Sequence, residues 1–169
     1  MPLPKRKKLR LSGYDYSEQG CYFITILTDK RKRLFWNTDY TLSYFGFIVE
    51  ECILDIPNHH FAVKIDNFAI MPDHVHILLT IGCDALSNDE KIFEDAYFNR
   101  IKFSDVSDII GLFKASVSRK IRKIHPDFKV WHRSFYDHII NNFNDYNETW
   151  DYIENNPNVW IAKNKGESF

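Results

Sequence analysis

The stretch FAVKIDNFAIMPDHVHILLTI, residues 61–81, decides the predicted fold. Both halves of it are rich in aliphatic and β-branched residues, which favours strands. Pro72-Asp73 separates the halves and is typical of a tight connection. We therefore predict two strands, 61–71 and 74–81, joined by a short turn. The second strand is unusual because His74 and His76 interrupt its apolar run.

Further elements are predicted on both sides of this pair. GCYFITILTD, from Gly20, has the composition of a strand, and apolar residues recur at helical spacing from Tyr40 to Leu54, before a stop at Pro57. A second helix is predicted from Asp105, with an apolar stripe of Ile110, Phe113, Val117, Ile121 and Ile124. KVWHRSFYDHII (129–140) predicts a fourth strand, and NDYNETWDYIENNP (144–157) predicts a last helix that Pro157 ends.

The resulting order is β-α-β-β-α-β followed by a terminal helix. It predicts a single α+β domain over residues 1–169, with a ferredoxin-like or RRM-like antiparallel sheet and helices on one face. A basic N-terminal segment, 1–12, and an inserted acidic loop, 82–104, fall outside this pattern. One face of the sheet would remain free for a functional site or for nucleic acid.

Composition excludes several classes of protein. The chain is 44% hydrophobic and 27% charged, which is typical of a globular protein. No apolar run approaches the roughly 18 residues of a membrane span, and no apolar stretch follows the first charges as in a secretory signal. Cys21, Cys52 and Cys83 are odd in number and widely spaced, which argues against a disulfide framework. We therefore expect a cytoplasmic protein that is not associated with a membrane.

The net charge of -1 conceals an uneven distribution of cations. One basic group lies in the first ten residues and a second in the predicted second helix. The second group contains Lys114, Arg119, Lys120, Arg122 and Lys123. Such groups either form a basic face for a polyanion or are ordinary solvated side chains.

His74 and His76 are candidate metal ligands. Alternate residues of a strand share a face, and their Cα atoms lie roughly 6.6 Å apart. Two imidazoles at that spacing can converge on one ion. The alternative is a pair of surface or hydrogen-bonded histidines, and the pattern alone names no reaction.

The last helix carries a candidate nucleophile. Tyr146, Trp150 and Ile153 form its predicted buried stripe, whereas a separate polar stripe contains Asp145, Thr149, Tyr152 and Asn156. If this polar stripe faced the histidines, Tyr152 would supply a phenol and Asn156 a third metal ligand. Tyr152 could equally pack at the helix margin. Tyr136, which shares a strand face with His138, competes as the nucleophile, or these two residues line the site.

Five blocks appear in a characteristic order: GYDYSEQGCYFITILTDKR, NFAIMPDHVHILL, GLFKASVSRKI, VWHRSFYDHII and DYIENNPNVW. Together they resemble the single-tyrosine HUH transposases, in the branch of REP-associated tyrosine transposases. The resemblance extends from about Arg10 to Trp160. It implies a DNA transposase that nicks and rejoins single-stranded DNA near hairpins through a covalent 5'-phosphotyrosine intermediate.

The resemblance also implies roles for individual residues. His74 and His76 would bind Mg2+ or Mn2+, and the nucleophile maps onto Tyr152 of the C-terminal helix rather than onto Tyr136. Asn156 occupies a position that is often Gln in the insertion-sequence branch, so metal ligation by its amide is expected. A homodimer is plausible in that branch and a monomer in the other. The rival functions are a catalytically silent hairpin-binding protein and a hydrolase that uses water as its nucleophile.

Contacts with the DNA backbone are expected from cations of the second helix and the fourth strand. These are Lys114, Arg119, Lys120, Arg122, Lys123 and Arg133. Segment 1–12 would grip a hairpin stem. Tyr22, Phe23 and Trp131 are candidates for stacking on bases, although packing in the core is the alternative for each.

Overall fold

A four-stranded antiparallel sheet forms the centre of the computed structural model, which describes residues 19–82 and 103–165. The strands are β1 (Gly20–Leu27), β2 (Val63–Met71), β3 (His74–Ile81) and β4 (Tyr136–Ile140). Their spatial order is β2-β3-β1-β4. This is the predicted ferredoxin-like arrangement, and β2 and β3 form the predicted hairpin around Pro72-Asp73.

Helices cover the two faces of the sheet differently. They are α1 (Tyr44–Leu54), the short α2 (Ile56–His59), α3 (Val106–Arg122) and the C-terminal α4 (Phe143–Asn164). Alternation sends Ile24, Val75 and Ile77 to one face, where they are fully buried in the core beneath α1 and α3. The opposite face carries His74 and His76, and α4 crosses it above β2 and β3.

The predicted first helix is right in type and ends at Leu54 as predicted, but it begins four residues later, at Tyr44. α1 begins after Ser43, whose Oγ accepts a hydrogen bond from the Gly46 N–H, so the preceding residues form a turn. Pro57 does not follow the helix as a stop. It lies in the first turn of α2, where proline is tolerated because the missing N–H would have no helical partner.

Pro157 does not end the last helix, contrary to the prediction. α4 continues to Asn164, with Pro157 inside it. The additional turns bring the Trp160 ring to 5.3 Å from the ring of Trp36 and to 6.4 Å from that of Tyr40. We attribute the continuation to this packing, which offsets the hydrogen bond that proline removes.

The fourth strand and the second helix are both shorter than predicted. β4 begins only at Tyr136, because the carbonyl oxygens of residues 132–134 accept hydrogen bonds from Lys114 Nζ rather than from a strand. α3 ends at Arg122, so Ile124 lies beyond it and is half exposed instead of extending the apolar stripe.

Some predictions concern residues outside the described ranges. These are the basic segment 1–12 and all but the ends of the acidic loop 82–104. The extent of the single domain, 1–169, stays a prediction. In the described part of the chain, no helix combines the length and the apolarity needed to span a membrane.

Candidate active site

The two predicted metal ligands converge. His74 and His76 project from the same face of β3, and their Nε2 atoms are 3.1 Å apart. Two cis ligands of an ion with nitrogen–metal bonds of about 2.1 Å would be separated by about 3 Å. The imidazole nitrogens are therefore spaced suitably for one cation, as the alternation of the strand predicts.

Each imidazole is held through its other nitrogen. Asp73 Oδ1 accepts a hydrogen bond of 2.6 Å from Nδ1 of His74, and Thr25 Oγ1 lies 2.9 Å from Nδ1 of His76. The second oxygen of Asp73 forms an ion pair with Arg31, with Nε at 2.8 Å. These contacts engage both Nδ1 atoms, so the Nε2 atoms are left facing each other, as outer contacts do for metal-bound histidines.

Burial sets the charge state of this cluster. Desolvation, followed by the positive charges of His74 and Arg31, lowers the pKa of His76 to about 3. Burial raises the pKa of Asp73, but the hydrogen bond from His74 and the charges of His74 and Arg31 outweigh it, so this pKa is lowered. At neutral pH, His76 is a neutral imidazole with an available lone pair, and Asp73 is a carboxylate.

Tyr152 lies against His76 of its own chain. Its ring centroid is 5.3 Å from that of His76 and 5.9 Å from that of Phe23, and 51% of the residue is exposed. Tyr136 shares the same sheet face but pairs with Thr25, which in turn pairs with His76. It is therefore two strand spacings, about 10 Å, from the histidine. Of the two predicted candidates, only Tyr152 contacts an imidazole.

Asn156 follows Tyr152 by one helical turn and contains an unusual polar atom. Its Nδ2 is buried and has no hydrogen-bond partner within the described residues. Since α4 runs from the vicinity of Asp66 towards Trp36, Asn156 lies on the His74 side of Tyr152. A side-chain amide whose orientation is open to a flip can also present its oxygen. This amide is a suitable third donor for a cation held by the imidazoles.

The donor set is consistent with a divalent metal but does not form a complete cage. Within residues 19–82 and 103–165, no three His, Cys, Asp or Glu side chains form a group that could hold an ion. Two imidazoles and one amide would therefore leave coordination positions for substrate oxygens, as a catalytic site requires.

The division of α4 into a buried and a polar stripe is only partly right. Ile153 is fully buried, as predicted, but Thr149 of the polar stripe is buried as well. Tyr146 and Trp150 of the predicted apolar stripe are only partly buried. The side of the helix facing the sheet therefore lies between the two stripes, and this rotation brings Tyr152 to the histidines.

The predicted DNA-contacting cations lie away from this face. They occupy α3, which packs against the opposite face of the sheet, and the segment before β4, where an open groove has a volume of about 710 Å³. Its cationic lining residues are Lys114, Arg119, Arg122, Lys123, Lys129 and Arg133. Lys120 is outside this lining and forms an ion pair with Glu51 at 2.8 Å.

Lys114 has a structural role in this groove. Its ammonium donates to three backbone carbonyls of residues 132–134, and burial lowers its pKa. The groove nevertheless lies at the histidine end of the sheet. The N–H of His132 donates a hydrogen bond to the carbonyl of Leu27, and Leu27 pairs with His74 in the sheet. The backbones of His132 and His74 are therefore about two strand spacings, or about 10 Å, apart.

The remaining predicted site residues divide between core and surface. Tyr22 and Trp131 are buried in the core, so neither is available for stacking on bases. Phe23 lies beside His76, with ring centroids 5.2 Å apart. His138 shares the face of Tyr136, but its Nε2 is hydrogen-bonded to the Asp145 carboxylate at 2.9 Å, which connects β4 to the first turn of α4.

The sequence interpretation missed the residues that orient the histidines. Asp73 precedes His74 directly, and an acidic neighbour of a metal-binding histidine is a recognisable pattern. Thr25 and Arg31 carry no such local pattern. Thr25 reaches His76 through the β1–β3 register, and Arg31 reaches Asp73 through a turn after β1. Both contacts depend on tertiary structure.

Comparison with known proteins gives relatives and solved structures, although no family model matches the chain. An uncharacterised protein of Haemophilus influenzae is 33% identical over 162 residues, covering 92% of this chain and 89% of the relative. A second Haemophilus influenzae protein, named "Putative REP-associated tyrosine transposase", is 27% identical over 150 residues, which cover 87% of this chain and 76% of the relative.

Two solved structures share the fold. A REP-associated tyrosine transposase bound to a REP hairpin has a TM-score of 0.55 and 20% identity, with 89% of this chain and 74% of that chain covered. A "putative transposase" from Deinococcus radiodurans has a TM-score of 0.50 and 16% identity, with 86% of this chain and 97% of that chain covered. The chain is therefore similar in sequence to a protein named as a REP-associated tyrosine transposase, and it shares the fold of solved transposases.

Proposed function

We propose that this protein is a metal-dependent transposase that nicks and rejoins single-stranded DNA next to a hairpin. The observation that carries the proposal is the contact between Tyr152 and His76 in one chain, with ring centroids 5.3 Å apart. A phenol lies against one of two convergent imidazoles, and the helix that carries the phenol presents a buried amide one turn further along. All of these groups belong to one chain, which supports a site that is completed within one subunit.

A divalent cation, Mg2+ or Mn2+, would be held by His74, His76 and Asn156. When bound, it supplies a Lewis acid that polarises a non-bridging phosphate oxygen and offsets the charge that develops during the reaction. The contacts of Asp73 and Thr25 keep both Nε2 atoms directed at the same point. The neutral state of His76 keeps its lone pair available at physiological pH.

Tyr152 acts as the nucleophile. Its phenol oxygen forms a bond to phosphorus, and the bond between phosphorus and the 3'-oxygen of the preceding nucleotide breaks. The phenol releases its proton to solvent, and the departing 3'-oxygen takes one up, so protons balance. The products are a 5'-phosphotyrosine and a free 3'-hydroxyl. Because the new ester retains the energy of the phosphodiester, attack by another 3'-hydroxyl rejoins DNA without a nucleotide cofactor.

The substrate would contact two surfaces of the protein. A single strand passes between α4 and β4, where Phe23, Tyr136 and Tyr152 provide aromatic rings for unpaired bases. The phosphates of an adjoining hairpin stem contact the basic groove through Arg119, Lys123 and Arg133. Hairpin binding by the solved relative supports this class of substrate. Such a substrate also implies that the protein acts in the bacterial cytoplasm, at the nucleoid.

The decisive experiment detects the covalent intermediate. The protein is incubated with Mn2+ and a labelled library of single strands that flank a hairpin, and adducts are separated under denaturing conditions. We expect an adduct in the wild type and in Tyr136→Phe, and none in Tyr152→Phe. Tyr136→Phe is a matched control because it removes a similarly exposed hydroxyl from the same sheet face.

Other outcomes would point to the rival functions. Tight hairpin binding without any adduct would indicate a DNA-binding protein that does not cut. DNA hydrolysis that persists in Tyr152→Phe would indicate a nuclease that uses water. Either result would overturn the proposed function.

A further inference from the structure

We propose that Arg31 is a further catalytic residue, whose guanidinium binds a non-bridging oxygen of the phosphate attacked by Tyr152. This inference rests on the proposed function and adds a phosphate-binding cation to the same site. It predicts that the reacting phosphate contacts fixed protein charge in addition to the cation held by the histidines.

A continuous chain of contacts joins Arg31 to the histidine pair. Arg31 forms an ion pair with Asp73, with Nε 2.8 Å from the carboxylate, Asp73 accepts a hydrogen bond from His74 at 2.6 Å, and the two Nε2 atoms are 3.1 Å apart. One carboxylate therefore aligns a ligand histidine with one oxygen and the guanidinium with the other. Because Asp73 is held by both, the arginine cannot move far without disturbing the imidazole.

The opposite edge of the guanidinium remains available. An arginine has five N–H donors, and the ion pair with Asp73 is formed through Nε. Within the described residues, the terminal nitrogens Nη1 and Nη2 have no hydrogen-bond partner, and the side chain is 56% exposed. By contrast, the neighbouring Arg33 lies over the ring of Trp160, 5.3 Å from its centroid. Arg31 can therefore offer a phosphate two parallel donors.

The backbone at Arg31 is strained. Lys30 and Arg31 have φ angles of 55° and 56°, in the left-handed region that non-glycine residues rarely adopt. Such a residue costs about 1–3 kcal/mol and persists only where its surroundings enforce it. Here the turn is held by Thr28, which bonds the Asp73 carbonyl through both its N–H and its hydroxyl. The strained turn is thus fixed to the residue that orients His74.

The charges of the site explain what Arg31 would contribute. The reacting phosphate is an anion that gains charge at its outer oxygens in the transition state. A guanidinium held by a carboxylate is pre-organised and loses little freedom on binding phosphate.

The test compares Arg31→Ala and Arg31→Lys with Lys30→Ala. Lys30 is a matched control because it is the adjacent cation and has the same left-handed backbone. Three quantities are measured: the single-turnover rate of adduct formation at saturating Mn2+, the affinity for Mn2+, and the affinity of each variant for oligothymidylate. The last two readouts do not depend on cleavage.

We expect Arg31→Ala to lower the rate by about 100- to 1,000-fold, as for other lost transition-state donors, and Arg31→Lys to restore part of it. Loss of one phosphate contact should reduce the salt dependence of oligothymidylate binding by a log–log slope of about 0.7. The affinity for Mn2+ should be unchanged or higher, because a nearby positive charge has been removed. Lys30→Ala should behave like the wild type in all three measurements.

Two results would overturn the proposal. If Arg31→Ala weakens Mn2+ binding and its rate recovers with excess metal, Arg31 only positions Asp73 and His74. If Arg31→Ala and Lys30→Ala bind oligothymidylate equally, Arg31 contacts no phosphate. A wild-type protein without a Tyr152 adduct refutes the proposed function instead, and the oligothymidylate comparison then decides the role of Arg31 by itself.

Discussion

Two polar clusters lie beneath α4, at opposite ends of the same sheet face. The histidine end contains Asp73, His74 and His76, and the aspartate end contains Cys21, Asp66 and Thr80. Thr80 follows His76 by four residues on β3, a distance of about 13 Å. Both clusters are largely withdrawn from solvent and rich in groups that could act chemically.

The clusters differ in whether their polar atoms are satisfied. At the aspartate end, Asp66 accepts from Lys64 Nζ at 2.9 Å and from the Thr80 hydroxyl at 2.5 Å, and its side chain is 3% exposed. At the histidine end, the two Nε2 atoms lie within hydrogen-bond distance of each other at 3.1 Å, and Nδ2 of Asn156 is buried without a partner among the described residues. Buried polar groups that pair among themselves stabilise a fold, whereas a buried group without a partner is a candidate for binding a ligand.

His76→Gln should have the largest effect. The substitution keeps a polar side chain beside Thr25 but removes the ring nitrogen that faces His74. Loss of a residue that only hydrogen-bonds to a metal ligand weakens metal binding by up to about 100-fold. Loss of the ligand itself should weaken Mn2+ binding by more than this, and the covalent adduct should disappear. Titration calorimetry with Mn2+ measures the first effect. An unchanged affinity would show that the imidazole pair is not the metal site.

Asn156→Leu should change metal binding and stability in opposite directions. If the amide is a metal ligand, its loss should weaken Mn2+ binding by about 100-fold. This is as much as the largest effect of losing a residue that only hydrogen-bonds to a ligand. The metal-free protein should become more stable by about 1 kcal/mol, because an unpaired buried polar group is replaced by an apolar one. Thermal unfolding without metal measures the gain. A loss of stability would mean that the amide has a partner in the folded protein.

Asp73→Asn should have a moderate effect at the same end. The amide oxygen can still accept from Nδ1 of His74, but the negative charge that pairs with Arg31 is lost. We expect Mn2+ affinity to fall by about tenfold, at the lower end of the range for outer-shell residues. Comparison with Arg31→Ala separates the two contacts of the carboxylate. Equal losses of Mn2+ affinity in both variants would show that Arg31 acts only through Asp73.

Asp66→Asn should affect stability rather than metal binding. It removes the charge that pairs with Lys64 and leaves a buried amide that cannot accept from both partners. We expect the free energy of unfolding to fall by about 1–3 kcal/mol, measured by urea denaturation. Mn2+ affinity should remain that of the wild type. A matching loss of metal affinity would mean that the two ends are coupled and that the comparison between them fails.

The sequence predicted the parts of this arrangement that depend on local pattern. The β2–β3 hairpin follows from residue composition and Pro72-Asp73, and the shared face of the histidines follows from alternation along a strand. Helical periodicity likewise put Tyr152 and Asn156 on one side of a helix.

Long-range packing determined what the sequence did not predict. α4 continues through Pro157 because Trp160 packs on Trp36, and the carbonyls before β4 bond to Lys114 instead of forming a strand. Arg31 reaches Asp73 through a strained turn that contains no glycine, so the sequence gives no sign of its left-handed backbone. The predicted basic residues form a groove beside α3 rather than on the histidine face, because only the tertiary structure fixes which face α3 covers.

Cys21 should show the smallest effect, through its response to pH. Burial, opposed by a hydrogen bond with Thr80 and reinforced by the Asp66 charge, raises the pKa of this thiol to about 11. The unfolded thiol ionises near pH 9, so between about pH 9 and 11 the unfolded chain binds fewer protons and the free energy of unfolding decreases as pH rises. Cys21→Ala should remove this part of the alkaline slope. Asp66→Asn should reduce it, because the neighbouring charge that disfavours the thiolate is gone.

Alkylation of Cys21 by iodoacetamide over the same pH range provides the direct measurement. Rapid reaction at pH 8 would show that the aspartate end is open to solvent, and the distinction between a closed structural cluster and an open functional one would be lost.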